Sequence, residues 1–167
     1  MSDEREILTY ELFGQAAREL AQAIADDGFR PDAVIGIARG GLPLAGALGY
    51  ALDLKMLGSL NVEFYTGMGT TLDAPIVLPP TLDQDSLQGK SILLVDDVAD
   101  SGRTLKLVVQ LLRDGGSEVR TVCLYSKPST VEEPHYVWRK TSKWIMFPWS
   151  SEGPVAYPGE AARAAEG

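Results

Sequence analysis

The sequence predicts an α/β domain built on a central, mostly parallel sheet flanked by helices, and three observations lead to it. Short apolar runs at 33–38, 91–95 and 119–125 have the length and density of strands buried on both faces. Stretches with apolar residues at helical spacing separate them. Glycine-bearing turns at 38–41 and 96–104 join strand to helix, and this alternation implies crossover helices that cover a parallel sheet.

Each element has a local reason. Thr9 is a candidate helix N-cap with Glu11 in the first turn, and Leu12, Ala16, Leu20 and Ile24 form a stripe that ends near Asp27-Gly28. Pro31 precedes the Ala33–Ala38 strand, and Gly40-Gly41 turns the chain into a helix carrying Leu44, Leu48 and Leu52. Asn61 to Tyr65 reads as a further strand. The segment 66–88 is rich in Thr, Gly, Pro and Asp, with Pro75, Pro79 and Pro80 breaking any long helix; such a segment is expected to be a lid or a mobile insertion. Ser91–Val95 is the next strand, followed by a helix with Leu105, Val108, Val109 and Leu112 on one face and a stop at Gly115-Gly116. Val119 to Tyr125 completes the alternation. A single domain is expected over 1–152, with a flexible, Ala-rich tail over 153–167.

Composition excludes several classes. A chain of 167 residues can bury about 70% of its extended surface. Its net charge of −8 argues against a nucleic-acid partner, which would need a basic face. No apolar stretch approaches the ~20 residues that span a bilayer, and the opening Met1-Ser2-Asp3-Glu4 has no signal-peptide pattern, so no membrane partner is expected. The single Cys123 cannot form an internal disulfide and reads as a reduced core thiol, which favours a cytoplasmic location. A lone His135 cannot build a metal site and reads as a surface or packing residue.

The most informative residues are Asp96-Asp97-Val98-Ala99-Asp100-Ser101-Gly102-Arg103-Thr104, placed between an apolar strand and a helix. Backbone N–H groups with the Ser101 and Thr104 hydroxyls can surround a phosphate at the positive end of the helix. Asp96 and Asp97 can meet ribose hydroxyls or a hydrated Mg²⁺, a hard cation that prefers oxygen ligands. The alternative is a plain turn in which Asp and Ser serve as caps. Ala38-Arg39-Gly40-Gly41 has the same placement: glycine permits close backbone approach to an anion, and Arg39 adds a fixed positive charge. Ligands of parallel sheets sit beyond the carboxyl ends of the strands, where both turns fall.

The 96–104 segment resembles the PRPP-binding signature of type I phosphoribosyltransferases. The Lys127-Pro128 pair with Trp144-Ile145-Met146-Phe147-Pro148-Trp149 resembles the pattern of the bacterial xanthine-guanine members, and the likeness runs from about Leu8 to Trp149. The resemblance implies the type I phosphoribosyltransferase fold with a flexible lid and a small C-terminal base-binding hood over about 126–150. It implies PRPP binding by Arg39, Gly40, Asp96, Asp97, Ala99, Asp100, Ser101, Gly102, Arg103 and Thr104, with Mg²⁺ as cofactor at Asp97 and Asp96. Tyr65 is the nearest candidate for a residue that closes on PRPP.

The resemblance also implies a substrate. Asp at position 100 is common in family members that act on 6-oxopurines, and a carboxylate near N7 can accept a proton from a base that bonds through N9. Lys127 can donate to O6, Trp144 offers a ring face for stacking, and the Ile145 carbonyl can accept from a 2-amino group. Asp100, Asp96, Asp97 and Arg39 are then the catalytic set, and guanine, xanthine or hypoxanthine the base. Ser150 departs from the acid often found after Pro-Trp in the family, and Trp149 reads as packing rather than stacking. Two alternatives stay open: the same chemistry on a modified base such as a deazapurine, or a non-catalytic PRPP or nucleotide sensor. A homodimer or homotetramer is expected, because small relatives usually assemble so.

Overall fold

The structure, a computed structural model, describes residues 4–64, 75–77 and 83–165. Thr9 caps helix α1 (Tyr10–Asp26), its Oγ1 accepting from Leu12 N at 3.1 Å, and Ala16, Ala17, Leu20, Ala21 and Ile24 form its buried face. Strand β2 (Ala33–Ala38) leads into α2 (Leu42–Ala51), which has Pro43 in its first turn, where a missing N–H costs nothing. Strand β5 (Ser91–Ala99) leads into α3 (Arg103–Asp114), and β6 (Glu118–Ser126) and β7 (Tyr136–Lys140) follow.

The main sheet has the order β4-β3-β2-β5-β6-β7, with β3 at Leu57–Phe64 and β4 at Pro75–Val77. All its pairings are parallel except β3 with β4. Alternate residues of β5 feed two cores: Leu93 and Val95 pack with α1 and α2, while Ile92 and Leu94 pack with α3. A small second sheet pairs β1 (Arg5–Ile7) in parallel with β8 (Trp144–Met146), joining the two ends of the domain.

Several boundaries differ from the sequence reading. Strand β3 starts at Leu57 rather than Asn61; Gly58 and Ser59 are poor strand formers, and pairing with β2 across Val34–Ala38 extends the strand through them. Strand β5 runs four residues past Val95, to Ala99, because β6 continues to pair with it as far as Ser126. Of the expected lid, 75–77 forms β4 and 84–87 a 3₁₀ turn capped by Asp83, whose Oδ1 accepts from Asp85 N at 3.1 Å. Tyr65, 66–74 and 78–82 lie outside the described residues.

His135 lies at the surface, where its Nδ1 accepts from Thr121 N at 3.0 Å. Trp149 packs, edge-on to Phe13 at 5.5 Å and stacked on Phe147 at 5.1 Å. Cys123 is buried, and burial raises its thiol pKa well above the ordinary value. In the tail the chain reverses, with Glu160 N donating to Tyr157 O at 3.0 Å and Gly159 at φ +87°.

Candidate active site

Strand order reverses direction about β2: β3 lies on one side and β5 on the other. This is the switch point where parallel sheets open a crevice beyond their carboxyl ends. The β2–β5 ladder stops at Gly36 and Val95, although β5 continues to Ala99. The two strands part there, and the 38–41 turn enters the gap.

Glycine is required in that gap. A Cβ on Gly41 would lie 2.3 Å from Val95 O, and one on Gly40 would lie 2.2 Å from Asp97 Oδ2. The peptide between Ala38 and Arg39 is cis. The two motifs, far apart in sequence, are therefore in direct contact.

Asp96 and Asp97 are half-buried at the end of β5. Asp97 N donates to Asp96 Oδ1 at 2.9 Å, and Val98 N donates to Asp97 Oδ1 at 2.8 Å. Burial, and then repulsion from Asp97, hold the Asp96 carboxyl well above its usual range. Burial also raises Asp97. Two carboxylates crowded at a desolvated strand end invite hydroxyl donors or a cation.

The loop from Asp100 to Thr104 is braced from behind. Ser129 Oγ donates to Asp100 O at 3.2 Å, and Val131 N donates to Ser101 O at 2.8 Å. Gly102, at φ +77°, sits so close to the 130–132 segment that a Cβ would meet Thr130 Oγ1 at 2.2 Å. Ser101 Oγ accepts from Arg103 N at 3.3 Å, and no side chain on Gly102 caps α3. The first turn of α3 thus presents N–H groups and the Thr104 side chain at its positive end. Ala99 contributes differently: its side chain is in the core, and its carbonyl accepts from Lys127 N at 2.9 Å. Its part is to position the loop.

A cleft of about 400 Å³ adjoins this loop, bordered by Val98, Asp100, Lys127, Trp144, Ile145 and Phe147. Trp144 is 56% exposed, with a ring face available for stacking. Lys127 Nζ donates to the Lys143 carbonyl, next to Trp144. Ile145 belongs to the core and also borders the cleft, as a main-chain role would require. Arg39 and Arg103 are exposed at the mouths of the two turns.

The structure thus brings together Arg39, Gly40 and the 96–104 residues on one side, and Asp100, Lys127, Trp144 and Ile145 on the other. The sequence reading missed the brace from Ser129, Thr130 and Val131. It also missed Arg5, which reaches the cleft from β1 and donates to Met146 Sδ at 3.7 Å. The brace lies 29 residues beyond the loop it supports, and only the positive φ required at Gly102 could have hinted at a packed neighbour.

A parallel-sheet crevice with a helix start open to an anion, two half-buried carboxylates and an adjoining cleft has the make-up of an enzyme of sugar-phosphate transfer. Residues 4–153 match the model of the phosphoribosyl transferase domain, and the chain belongs to that family. It is 32% identical over 147 residues to xanthine-guanine phosphoribosyltransferase of Gluconobacter oxydans, covering 86% of this chain and 83% of that one. It is 33% identical over 129 residues to hypoxanthine-guanine phosphoribosyltransferase of Lactococcus lactis, covering 75% and 68%. A purine phosphoribosyltransferase from Pyrococcus horikoshii superposes with a TM-score of 0.76 at 36% identity, over 92% of this chain and 97% of that one. The protein is a phosphoribosyltransferase, hence a pentosyltransferase.

Proposed function

We propose that the protein transfers the 5-phosphoribosyl group of PRPP to N9 of a 6-oxopurine: guanine, xanthine or hypoxanthine. The observation that carries this reading is the shared cleft. Asp100, Lys127 and Trp144 border one cavity that adjoins the phosphate loop. A carboxylate, an ammonium donor and an exposed ring face suit a flat base with a carbonyl and an exchangeable ring proton. The named relatives act on such bases.

In the reaction N9 forms a bond to C1′ of the ribose while the bond from C1′ to pyrophosphate breaks. Asp100 accepts the proton released from the imidazole part of the base. Lys127 donates to O6 and Trp144 stacks on the ring. The amides at the start of α3, with Ser101 and Thr104, hold the 5′-phosphate, and Arg39 with the Gly40 backbone holds pyrophosphate. Asp96 and Asp97 hold the ribose hydroxyls.

The donor set also fits Mg²⁺. Mg²⁺ keeps several waters and takes one or two carboxylates plus substrate phosphates. Asp96 and Asp97 are such a pair, and among the described residues no group of three or more His, Cys, Asp and Glu forms an all-protein cage. Bound with PRPP, Mg²⁺ would neutralise charge on the departing pyrophosphate.

A homo-oligomer belongs to the same proposal. Helix α2 is apolar nearly all round, yet Leu42 is 43% and Tyr50 93% exposed, a face that a second copy would cover. Mass measurement by light scattering checks it; a monomer at working concentration removes it. The described residues contain no helix long and apolar enough to cross a membrane. A cytoplasmic location is part of this reading.

The decisive experiment incubates guanine, xanthine, hypoxanthine and adenine separately with PRPP and Mg²⁺ and measures nucleotide formation. Turnover on oxopurines with little on adenine is expected. Adenine as the best substrate would overturn the roles of Lys127 and Asp100, and no turnover on any natural base would favour a modified base.

A further inference from the structure

Beyond Trp149 the chain turns away from the site and then returns to it. Tyr157-Pro158-Gly159-Glu160 makes a reversal with Pro and Gly at the two central positions, Gly159 at φ +87° and Glu160 N donating to Tyr157 O at 3.0 Å. Those are the residues and the conformation that a type II turn demands. The reversal sends 161–165 back against Gly153. The approach is so close that a Cβ on Gly153 would lie 2.2 Å from Arg163 O and 3.0 Å from Ala165 N. Ala165 thereby borders the same cleft as Lys127 and Trp144, alongside Ser150 and Ser151.

We propose that residues 161–165 are a wall of the base subsite, held there by the Tyr157–Glu160 turn and the bare backbone of Gly153. The wall sets affinity for the purine without contributing to PRPP binding. It rests on the reading of the cleft as the base subsite. Ala165 is the residue of this stretch that borders the cleft, and with Ser150 and Ser151 it shapes a side that carries no acid, so this face contributes enclosure and main-chain polar groups rather than charge. The phosphate loop and the acid pair lie on other elements, which is why PRPP should not sense the wall.

Two substitutions displace the wall by independent routes. Gly153→Val puts a side chain where Arg163 O lies. Gly159→Val has open space around the new Cβ and acts only through the positive φ, so it breaks the turn without a clash. In both, KM for guanine should rise about fivefold or more while KM for PRPP and the melting temperature stay near the unmodified values. A third variant, Ala165→Cys, reports position directly, since Cys123 is buried and the introduced thiol is the accessible one. Its alkylation should slow about fivefold or more when GMP is bound and should be unaffected by pyrophosphate alone.

Unchanged KM for guanine in both glycine variants, or equal alkylation with and without GMP while the unmodified protein still turns over guanine, would overturn the wall alone. If the unmodified protein neither used a purine nor bound GMP, the base-subsite reading itself would fall, and the wall's role with it.

Discussion

The two halves of the site are built in opposite ways. The half proposed to hold phosphate is main chain and half-buried acid at the switch point of one sheet, with Gly40 against Asp97 and Gly102 against Thr130. The base half is assembled from distant pieces: Arg5 on β1, Lys127 after β6, Trp144 and Ile145 on β8, and Ala165 in the tail. The first half is packed so closely that no side chain fits at Gly40, Gly41 or Gly102. The second is composed of side chains on short elements and can vary without disturbing the sheet. Such a division lets one phosphoribosyl-binding core serve different bases.

The largest test of this contrast is the double substitution Asp96→Asn with Asp97→Asn. Turnover should drop at least ~10³-fold because ribose and metal contacts vanish together, while circular dichroism stays native. Activity near the unmodified level would remove the acids from the mechanism. Next comes Asp100→Asn, at the border between the halves. Steady-state kinetics should show kcat falling about 10²–10⁴-fold with a smaller change in KM for PRPP. A loss confined to PRPP binding would make Asp100 a loop-shaping residue.

Changes in the base half should alter selectivity rather than chemistry. Lys127→Ala removes a charged donor worth about 1.5–3 kcal/mol, so the guanine-to-adenine preference should narrow by about 10- to 100-fold. Trp144→Ala removes stacking worth about 1–3 kcal/mol for every base and should weaken all accepted bases together. A large shift in base ranking from the Trp144 variant would blur the division.

The smallest effect is on stability and has a definite sign. The Asp96 carboxyl has a raised pKa in the folded protein, from burial and then from Asp97, so ionising it disfavours the fold. Stability from this group is full below its unfolded pKa and is lost as pH rises through the folded value. Asp96→Asn keeps the acceptor for Asp97 N without the charge, and should raise the melting temperature at pH 8 by about 2 °C or more. At pH 3 the difference from the unmodified protein should shrink. Equal melting temperatures at both values would mean that the buried charge is relieved in solution.

The same division explains what was legible in the sequence. Residues 96–104 are contiguous, and reading them needs only a strand before and a helix after, which β5 and α3 supply. Lys127 and Trp144 could be singled out, but their meeting depends on β8 pairing with β1, and strands of three residues carry no usable periodicity. Strand β7 was missed because Tyr136-Val137-Trp138-Arg139-Lys140 ends in two exposed charges at the sheet's edge. The early start of β3 was hidden by Gly58 and Ser59, which only the neighbouring strand persuades into the sheet. Nothing local says that Ser129 and Val131 reach back to Asp100 and Ser101, since that contact depends on where β6 ends.

The parting of β2 from β5 beyond Gly36 and Val95 opens a seam in the middle of the sheet, and the 38–41 turn fills it. Left open, such an edge would be a template onto which a foreign strand could add. Two amides at this strand end are also occupied, because Asp96 and Asp97 each accept from the N–H of the following residue. The strand end is thereby closed by its own chain, with the turn in the gap and the carboxylates on the amides, and it offers little free main chain to another strand.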